Sequence, residues 1–515
     1  MTPRAKRLAA LLLITALTTA VRLPFLLRGD QFFDSDEAVE GLMARHVSAG
    51  ELPVFTWGQN YKGVPEVYLA AAIFKLARPG VVALKATTLA IFVAFAGCQF
   101  VLLDTLFSRR VAWLAALFLM LCPPVFVYWS LSGSAEIVVT LFAGTVLMLA
   151  AKRWTESRSS GALALASATA GFGLWVQQFI VFYIVALALA ARWPLTRDPR
   201  WKLPRLFLGL ATMYGVLGVI AFFTGGFDLP SGIGVHHPQK LWRLAAVFLA
   251  AWAGGRWLES LTIRERVASV AAFLIGYAPA IAFRLTNGGG PPIGRMDAHG
   301  LVSVLPLTTR AAVPMLLGFA GPTGDWLPVS KALAFLMLAT GALSYAAIKR
   351  TNATRVFHIF LISTPIIVLA SGSYTGVQSY RYLMPLFAAL PVVYATGVTA
   401  AWRWNRWAGI ALGGALLATF ASQQIAWMRT LGPDMESRAI LTCLNDQDVR
   451  SAYADYWLSY KLMFLADEKI IIAPLDGLDR YPAYTARVRA ADRAPTIVRP
   501  PWPHPEEVPC NRVLP

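Results

Sequence analysis

Residues 30–68 read DQFFDSDEAVEGLMARHVSAGELPVFTWGQNYKGVPEVY. One apolar segment precedes this stretch and many follow it. It gathers Asp34, Asp36, Glu37, Glu40, Lys62 and Glu66 with Trp57, Gln59, Asn60 and Tyr61. A mere connector between two apolar segments needs no such set, and loops held by a rigid scaffold are where binding and catalysis concentrate. Carboxylates, amides and aromatic rings in this mixture suit sugar and phosphate chemistry at a membrane surface.

The chain around the loop is strongly apolar. Of 515 residues, 57% are hydrophobic and only 14% charged, with a mean hydropathy of +0.55. That composition describes a polytopic membrane protein and excludes an ordinary soluble enzyme. The net charge of +18 sits mostly in short loops: Arg109/Arg110, Lys152/Arg153/Arg158, Arg192 to Arg205, Arg256 to Arg266, Lys349/Arg350/Arg355 and Arg403/Arg406. Placed between alternate apolar runs, these cations mark a cytoplasmic face and contact with anionic lipid rather than nucleic acid. No zinc-ligand spacing, P-loop or HExxH occurs. The Asn352 sequon falls in a loop assigned to the cytoplasm and is set aside. Cys98 and Cys122 lie in apolar runs, as packing residues do. Cys443 and Cys510 lie in the polar C-terminal region, where an oxidising compartment would allow a disulfide.

Leu8 to Leu27 follows a basic start. Small residues at Ala16 to Ala20 would suit a cleaved signal peptide, but the apolar run continues to Leu27, so it reads as a spanning helix with Arg22 snorkelling. Further spans are expected at Val81–Phe107, Val111–Trp129, Ile137–Ala151, Ala162–Trp175, Val176–Ala191, Leu206–Phe223, Leu241–Ala253, Val267–Phe283, Ala332–Ile348, Val356–Ala370, Leu383–Ala400 and Ala408–Trp427. The total is about thirteen helices, which puts the N-terminus inside and the C-terminal region outside. The opposite loops are richer in Gly and Pro and hold His236, His237 and His299. Three loop histidines could bind metal but are more often solvated. Pro65 to Ala77 is too charged for a span and reads as an amphipathic helix on the outer surface. Residues 1–428 thus form a transmembrane domain whose first outer loop spans 28–80. Residues 429–515 form a small extracytoplasmic α/β domain, with helical periodicity around Met435 to Leu444, a strand over Lys469 to Pro474, and a Pro-rich tail from Arg493.

Asp34-Ser35-Asp36-Glu37 opens a helix-like stretch through Ala49. Acids there can simply cap the helix and complement its dipole. A carboxylate with an ordinary pKa near 4 can also accept a proton from an attacking hydroxyl held close to it. The D-x-D pattern by itself is common in loops.

Three motifs carry a resemblance: DSDEAVEGLMARH at 34–46, GQNYKGVPEVYLAA at 58–71 and SYRYLMPLFAALP at 379–391. Together they resemble the GT-C superfamily of membrane glycosyltransferases, above all its protein O-mannosyltransferase and aminoarabinose lipid A transferase branch. The resemblance implies a mainly α, polytopic fold with a soluble tail, a polyprenyl-phosphate sugar as donor, and inversion at the anomeric carbon. It implies that the Asp of the first-loop Asp-Glu pair, here Asp36 before Glu37, is the catalytic carboxylate. Glu136 looks like the superfamily's second acidic position; its plain alternative is a helix-start acid. One departure matters. The family's Lys-Pro or His-Pro-Pro element is here Lys62-Gly63-Val64-Pro65-Glu66, so the acceptor does not carry over.

The residues themselves fit that chemistry. A lipid phosphate leaving group develops negative charge and needs fixed donors. Arg381, between Tyr380 and Tyr382 at an outer helix mouth, can fork two phosphate oxygens; it could equally be an interfacial anchor flanked by belt tyrosines. Lys62 is a second phosphate candidate, and Tyr380 and Tyr382 would help to hold the phosphate. Glu37, Asp34, Glu66, Glu136, Gln59 and Tyr61 would line the acceptor pocket around Asp36, although Glu66 could instead be the solvated face of an interfacial helix. No cofactor is required; a divalent metal is compatible. The expected partners are the bilayer, the lipid-phosphate sugar and a glycan, lipid or protein acceptor, at the plasma (inner) membrane with the site extracytoplasmic. A transporter or lipid-carrier flippase is the rival reading. It predicts ionisable residues near span centres and an inverted repeat, neither of which stands out here. A catalytically dead scaffold of the same fold is a third.

Overall fold

A computed structural model of the chain describes residues 2–134, 136–190, 203–228, 234–235, 261–287, 308–322, 330–348, 355–370, 377–475, 478–491 and 494–497, with residue 306 and scattered positions between 241 and 255. His236, His237, His299, Asn352 and Cys510 lie outside the described residues. Cys443 is disulfide-bonded, while Cys98 and Cys122 are free.

The architecture is a helical membrane fold. Among the described residues six helices are long and apolar enough to cross a membrane: Arg4–Leu26, Val81–Leu106, Ile137–Ser157, Leu206–Thr224, Ile263–Asn287 and Arg406–Asp446. A pair bent by 44°, Ser379–Ala388 with Leu390–Trp404, would make a seventh. Five further apolar helices are 10–17 residues long. The expected span at Val111–Trp129 is broken into Arg109–Met120 and Pro124–Trp129. Pro123 and Pro124 explain the break, since proline lacks the amide that would continue the ladder.

The first helix, α1 (Pro3–Leu26), corrects one expectation. Arg22 does not snorkel to an interface; it is fully buried. Its guanidinium donates to Ser130 Oγ at 2.8 Å and to the carbonyls of Met120 at 2.7 Å and Leu119 at 2.9 Å. It thereby satisfies the orphan carbonyls where Arg109–Met120 ends.

The decisive loop folds into three pieces. Helix α2 (Ser35–Ser48) is capped by Asp34, whose side chain accepts from the Glu37 amide at 2.9 Å. Asp36 and Glu37 lie in its first turn and Arg45 and His46 in its last, as the helix dipole favours. A hairpin follows, β1 (Phe55–Thr56) with β2 (Gln59–Gly63), antiparallel. Helix α3 (Pro65–Phe74) then buries Val67, Ala70, Ala71 and Phe74 against α2 and α4 (Val81–Leu106).

The C-terminal segment runs helix Met435–Asp446, strand Ser451–Ala454, helix Tyr456–Leu465, strand Ile471–Pro474 and helix Pro482–Arg489. Its two strands pair in parallel, Ser451 opposite Ile471 and Ala454 opposite Pro474. One apolar cluster joins this segment to the first loop: Val39, Leu42 and Met43 from α2 pack with Tyr456, Met463 and Phe464. Gly41 sets how closely the two helices approach, because a Cβ there would lie 2.5 Å from the Phe464 ring. The Ser35 hydroxyl donates to the Trp457 carbonyl at 2.8 Å and accepts from the Lys461 amide at 3.1 Å.

Candidate active site

Asp36 stands on the first turn of α2, half-buried, with its two oxygens in different company. Oδ1 accepts from the Tyr456 hydroxyl at 2.5 Å and lies 3.5 Å from Arg480 Nη2. Oδ2 faces Arg381 Nη1 at 3.6 Å. Arg381 also stacks its guanidinium over Tyr382, 5.6 Å from the ring centre, while Tyr380 is buried with its ring against Trp129. Two cations, one from the segment before the last apolar helices and one from the C-terminal segment, therefore converge on one carboxylate of the first loop. The Arg381 side chain keeps 29% of its surface exposed, so it can reach an incoming anion.

Asp34, two residues away, does other work. Besides capping α2, it accepts from the Tyr128 hydroxyl at 3.3 Å. Burial, and then repulsion from Asp36, pushes its carboxyl above the usual range. The capping role that the sequence allowed for this acidic run is thus met by Asp34 and leaves Asp36 available. Gln59 and Tyr61 sit on β2. With its amide oxygen turned to Arg480, Gln59 accepts from Nη1 at 2.9 Å and Nη2 at 3.0 Å.

The remaining predicted acids form buried clusters beneath this rim. Glu37 pairs with Lys85 at 2.7 and 3.0 Å; burial raises its carboxyl to about 7 even though Lys85 works the other way. Lys62 is buried and bonded to the Glu40 carboxylate and the Ser134 carbonyl. Burial disfavours its charge, but Glu40 and Glu136 together hold its pKa above the ordinary lysine value. A lipid phosphate would have to displace Glu40 to reach Lys62 as the structure places it. Glu66 accepts from Thr88, and burial with Glu40 nearby raises it to about 8.

Glu136 completes this cluster from the start of helix Ile137–Ser157. Its φ of +53° places it in the left-handed region, which costs a non-glycine residue free energy and recurs at functional sites. Among the described residues, neither of its buried carboxylate oxygens has a partner. One oxygen from each of Glu40, Glu66 and Glu136 lies within 4.8 Å of the others. Gly133 makes room for them, since a Cβ there would sit 2.7 Å from Glu66 Oε1 and 2.9 Å from Glu40 Oε2. Three carboxylates and one ammonium leave negative charge that burial cannot tolerate unmatched. Burial raises the Glu66 and Glu136 carboxyls, which favours their protonated forms, and the oxygen-only ligand set also suits a hard divalent cation.

Sequence reasoning did not include Tyr456, Arg480, Lys85 or Tyr128 in the site. Lys85 carried a signal, a lone cation near the start of a long apolar run that demands a buried partner. Glu40, one helical turn from both Asp36 and Glu37, carried another. Tyr456 and Arg480 carried none.

The chain has the GT-C fold. Two solved structures of that fold show the likeness. ArnT from Cupriavidus metallidurans, bound to undecaprenyl phosphate, matches over 93% of this chain and 88% of its own, with a TM-score of 0.52 and 12% identity. The apo oligosaccharyltransferase of Archaeoglobus fulgidus matches over 92% of this chain and 65% of its own, with a TM-score of 0.50 and 16% identity; this chain thus spans under two thirds of that protein's length. No family model matches the chain, and no curated protein sequence does.

Proposed function

We propose that this chain is an inverting glycosyltransferase that moves a sugar from a polyprenyl-phosphate donor to an extracytoplasmic glycan, lipid or protein. The observation that carries the reading is the half-buried Asp36 carboxylate with Arg381 3.6 Å from its Oδ2, on the rim of a GT-C fold. A base and a phosphate-binding fork side by side are what the reaction needs. The acceptor hydroxyl gives its proton to Asp36 Oδ2 as its oxygen attacks the anomeric carbon. The bond from that carbon to the phosphate oxygen breaks on the opposite face, and the electron pair leaves with the lipid phosphate. Arg381 stabilises the growing charge with paired N–H donors. One structure of the same fold, ArnT, was solved with undecaprenyl phosphate bound, which supports a lipid-phosphate donor here. Residues 1–428, the transmembrane domain, hold the lipid, and residues 429–515 cover the aqueous side of the site, which opens outside the plasma (inner) membrane.

The test is transfer by purified protein in nanodiscs, offered a panel of polyprenyl-phosphate sugars and acceptors. Transfer with inversion supports the reading. Movement of the lipid phosphate between leaflets with no glycosidic bond formed overturns it in favour of a flippase.

A further inference from the structure

The C-terminal segment does more than cover the first loop. Tyr456 and Arg480 both reach Asp36 Oδ1, and the protein holds both of them on purpose-built supports. Arg480 Nε donates to the Tyr456 hydroxyl at 3.1 Å, and its guanidinium forks onto the Gln59 amide. Tyr460, one helical turn after Tyr456, fixes the Arg480 backbone by accepting its amide hydrogen at 2.7 Å. On the other side, Gly58 has φ +68°, and a Cβ there would lie 3.3 Å from the Arg480 Cα and 3.2 Å from its Cδ. The hairpin turn can come this close only with glycine at that position. Tyr481 stacks on Trp57 with ring centres 4.0 Å apart. Arg480 is thus gripped from the hairpin, from α2 and from the helix Tyr456–Leu465.

We propose that Tyr456 and Arg480 are positioning residues for Asp36, so that the C-terminal segment completes the site by fixing one carboxylate oxygen and leaving the other to act. A carboxylate rotates freely about its Cβ–Cγ bond unless an oxygen is anchored, and a base must be held within hydrogen-bond reach of the proton it takes. Tyr456 and Arg480 anchor Oδ1, which turns Oδ2 toward Arg381 and the donor side. The inference rests on Asp36 being the base of the proposed transfer.

Tyr456→Phe removes only the hydroxyl. It should lower kcat about tenfold to a hundredfold with KM for the donor unchanged, the loss expected when a hydrogen bond to a charged group is removed. Arg480→Ala should behave alike, and Arg480→Lys should recover part by restoring the charge without the fork. Docking alone is controlled by Asp467→Ala. It breaks the 2.8 Å pair with Arg45 that ties α2 to the turn after the helix Tyr456–Leu465 and should leave kcat unchanged. In an Asp36→Asn background, Tyr456→Phe should change nothing further. Wild-type kcat in folded Tyr456→Phe, or an equal loss in Asp467→Ala, overturns the inference, with melting temperature confirming the fold and Arg480→Lys read in place of any variant that does not fold. If Asp36→Asn itself keeps full activity, the proposed reaction chemistry has failed instead, which is a separate result.

Discussion

Tyr456 donates its hydroxyl to Asp36 across 2.5 Å, and the two residues are 420 positions apart in the chain. That contact ties the last part of the chain to the loop after the first helix. It also separates Asp36 from Asp34, which is spent on capping α2 and on Tyr128.

Arg381→Ala should weaken binding of the polyprenyl-phosphate sugar by about 1.5–3 kcal/mol, the loss of a charge-assisted fork. Arg381→Lys should restore part of it, because an ammonium lacks the planar fork. Donor titration of nanodisc-held protein by calorimetry measures both. Unchanged affinity in the alanine variant returns Arg381 to the role of an interfacial anchor.

Lys62→Met should act on stability instead of on donor affinity. It leaves the buried Glu40 carboxylate without its ammonium, a change worth about 3–5 kcal/mol. Lys62→Met with Glu40→Gln should recover much of that loss, a coupling that a double-mutant cycle reads directly. A large fall in donor affinity in a stable Lys62→Met protein would place Lys62 on the phosphate after all.

Glu66 sets a pH dependence. Its carboxyl is raised from 4.5 to about 8 by burial and by Glu40, so the folded protein holds this proton more tightly than the unfolded chain. The stabilisation is full below the unfolded value and is lost as pH rises through about 8. Glu66→Gln keeps the neutral form at every pH. Its melting temperature should match the wild type in acid and exceed it by a few degrees above about pH 8. Parallel melting curves across the range would show that Glu66 is ionised in the fold.

Gly41→Ala should loosen the C-terminal segment. The new methyl would meet the Phe464 ring at 2.5 Å, and overpacking of this kind costs about 1–3 kcal/mol. Limited proteolysis after residue 430 should accelerate, while the transmembrane helices keep their protection.

Much of the fold was legible in the sequence because it depends on local composition. Apolar runs mark helices, the basic clusters separate them, and the Asp34–Glu37 run starts α2 where capping chemistry puts it. The break at Pro123-Pro124 was readable in principle and was passed over inside an apolar run. In the candidate site, local chemistry marked Asp36 and Arg381 one by one, and only the tertiary fold brings them within 3.6 Å across 345 positions of chain. Lys62 reads in the sequence as a second cation for the phosphate, and only the tertiary fold shows it buried against Glu40. Tyr456 and Arg480 lie in a polar tail of ordinary composition, and nothing local distinguishes a tyrosine that packs from one that holds a carboxylate.

The central claim is that Asp36 takes the acceptor proton. The most direct measurement is single-turnover sugar transfer by Asp36→Asn and Asp34→Asn proteins, purified side by side with wild type. Asp36→Asn keeps the size and much of the hydrogen bonding but cannot accept the proton. It should slow transfer by about two to four orders of magnitude with donor binding intact, and Asp34→Asn should cost less. Wild-type turnover in Asp36→Asn, with loss in Asp34→Asn or Glu37→Gln, would contradict the assignment.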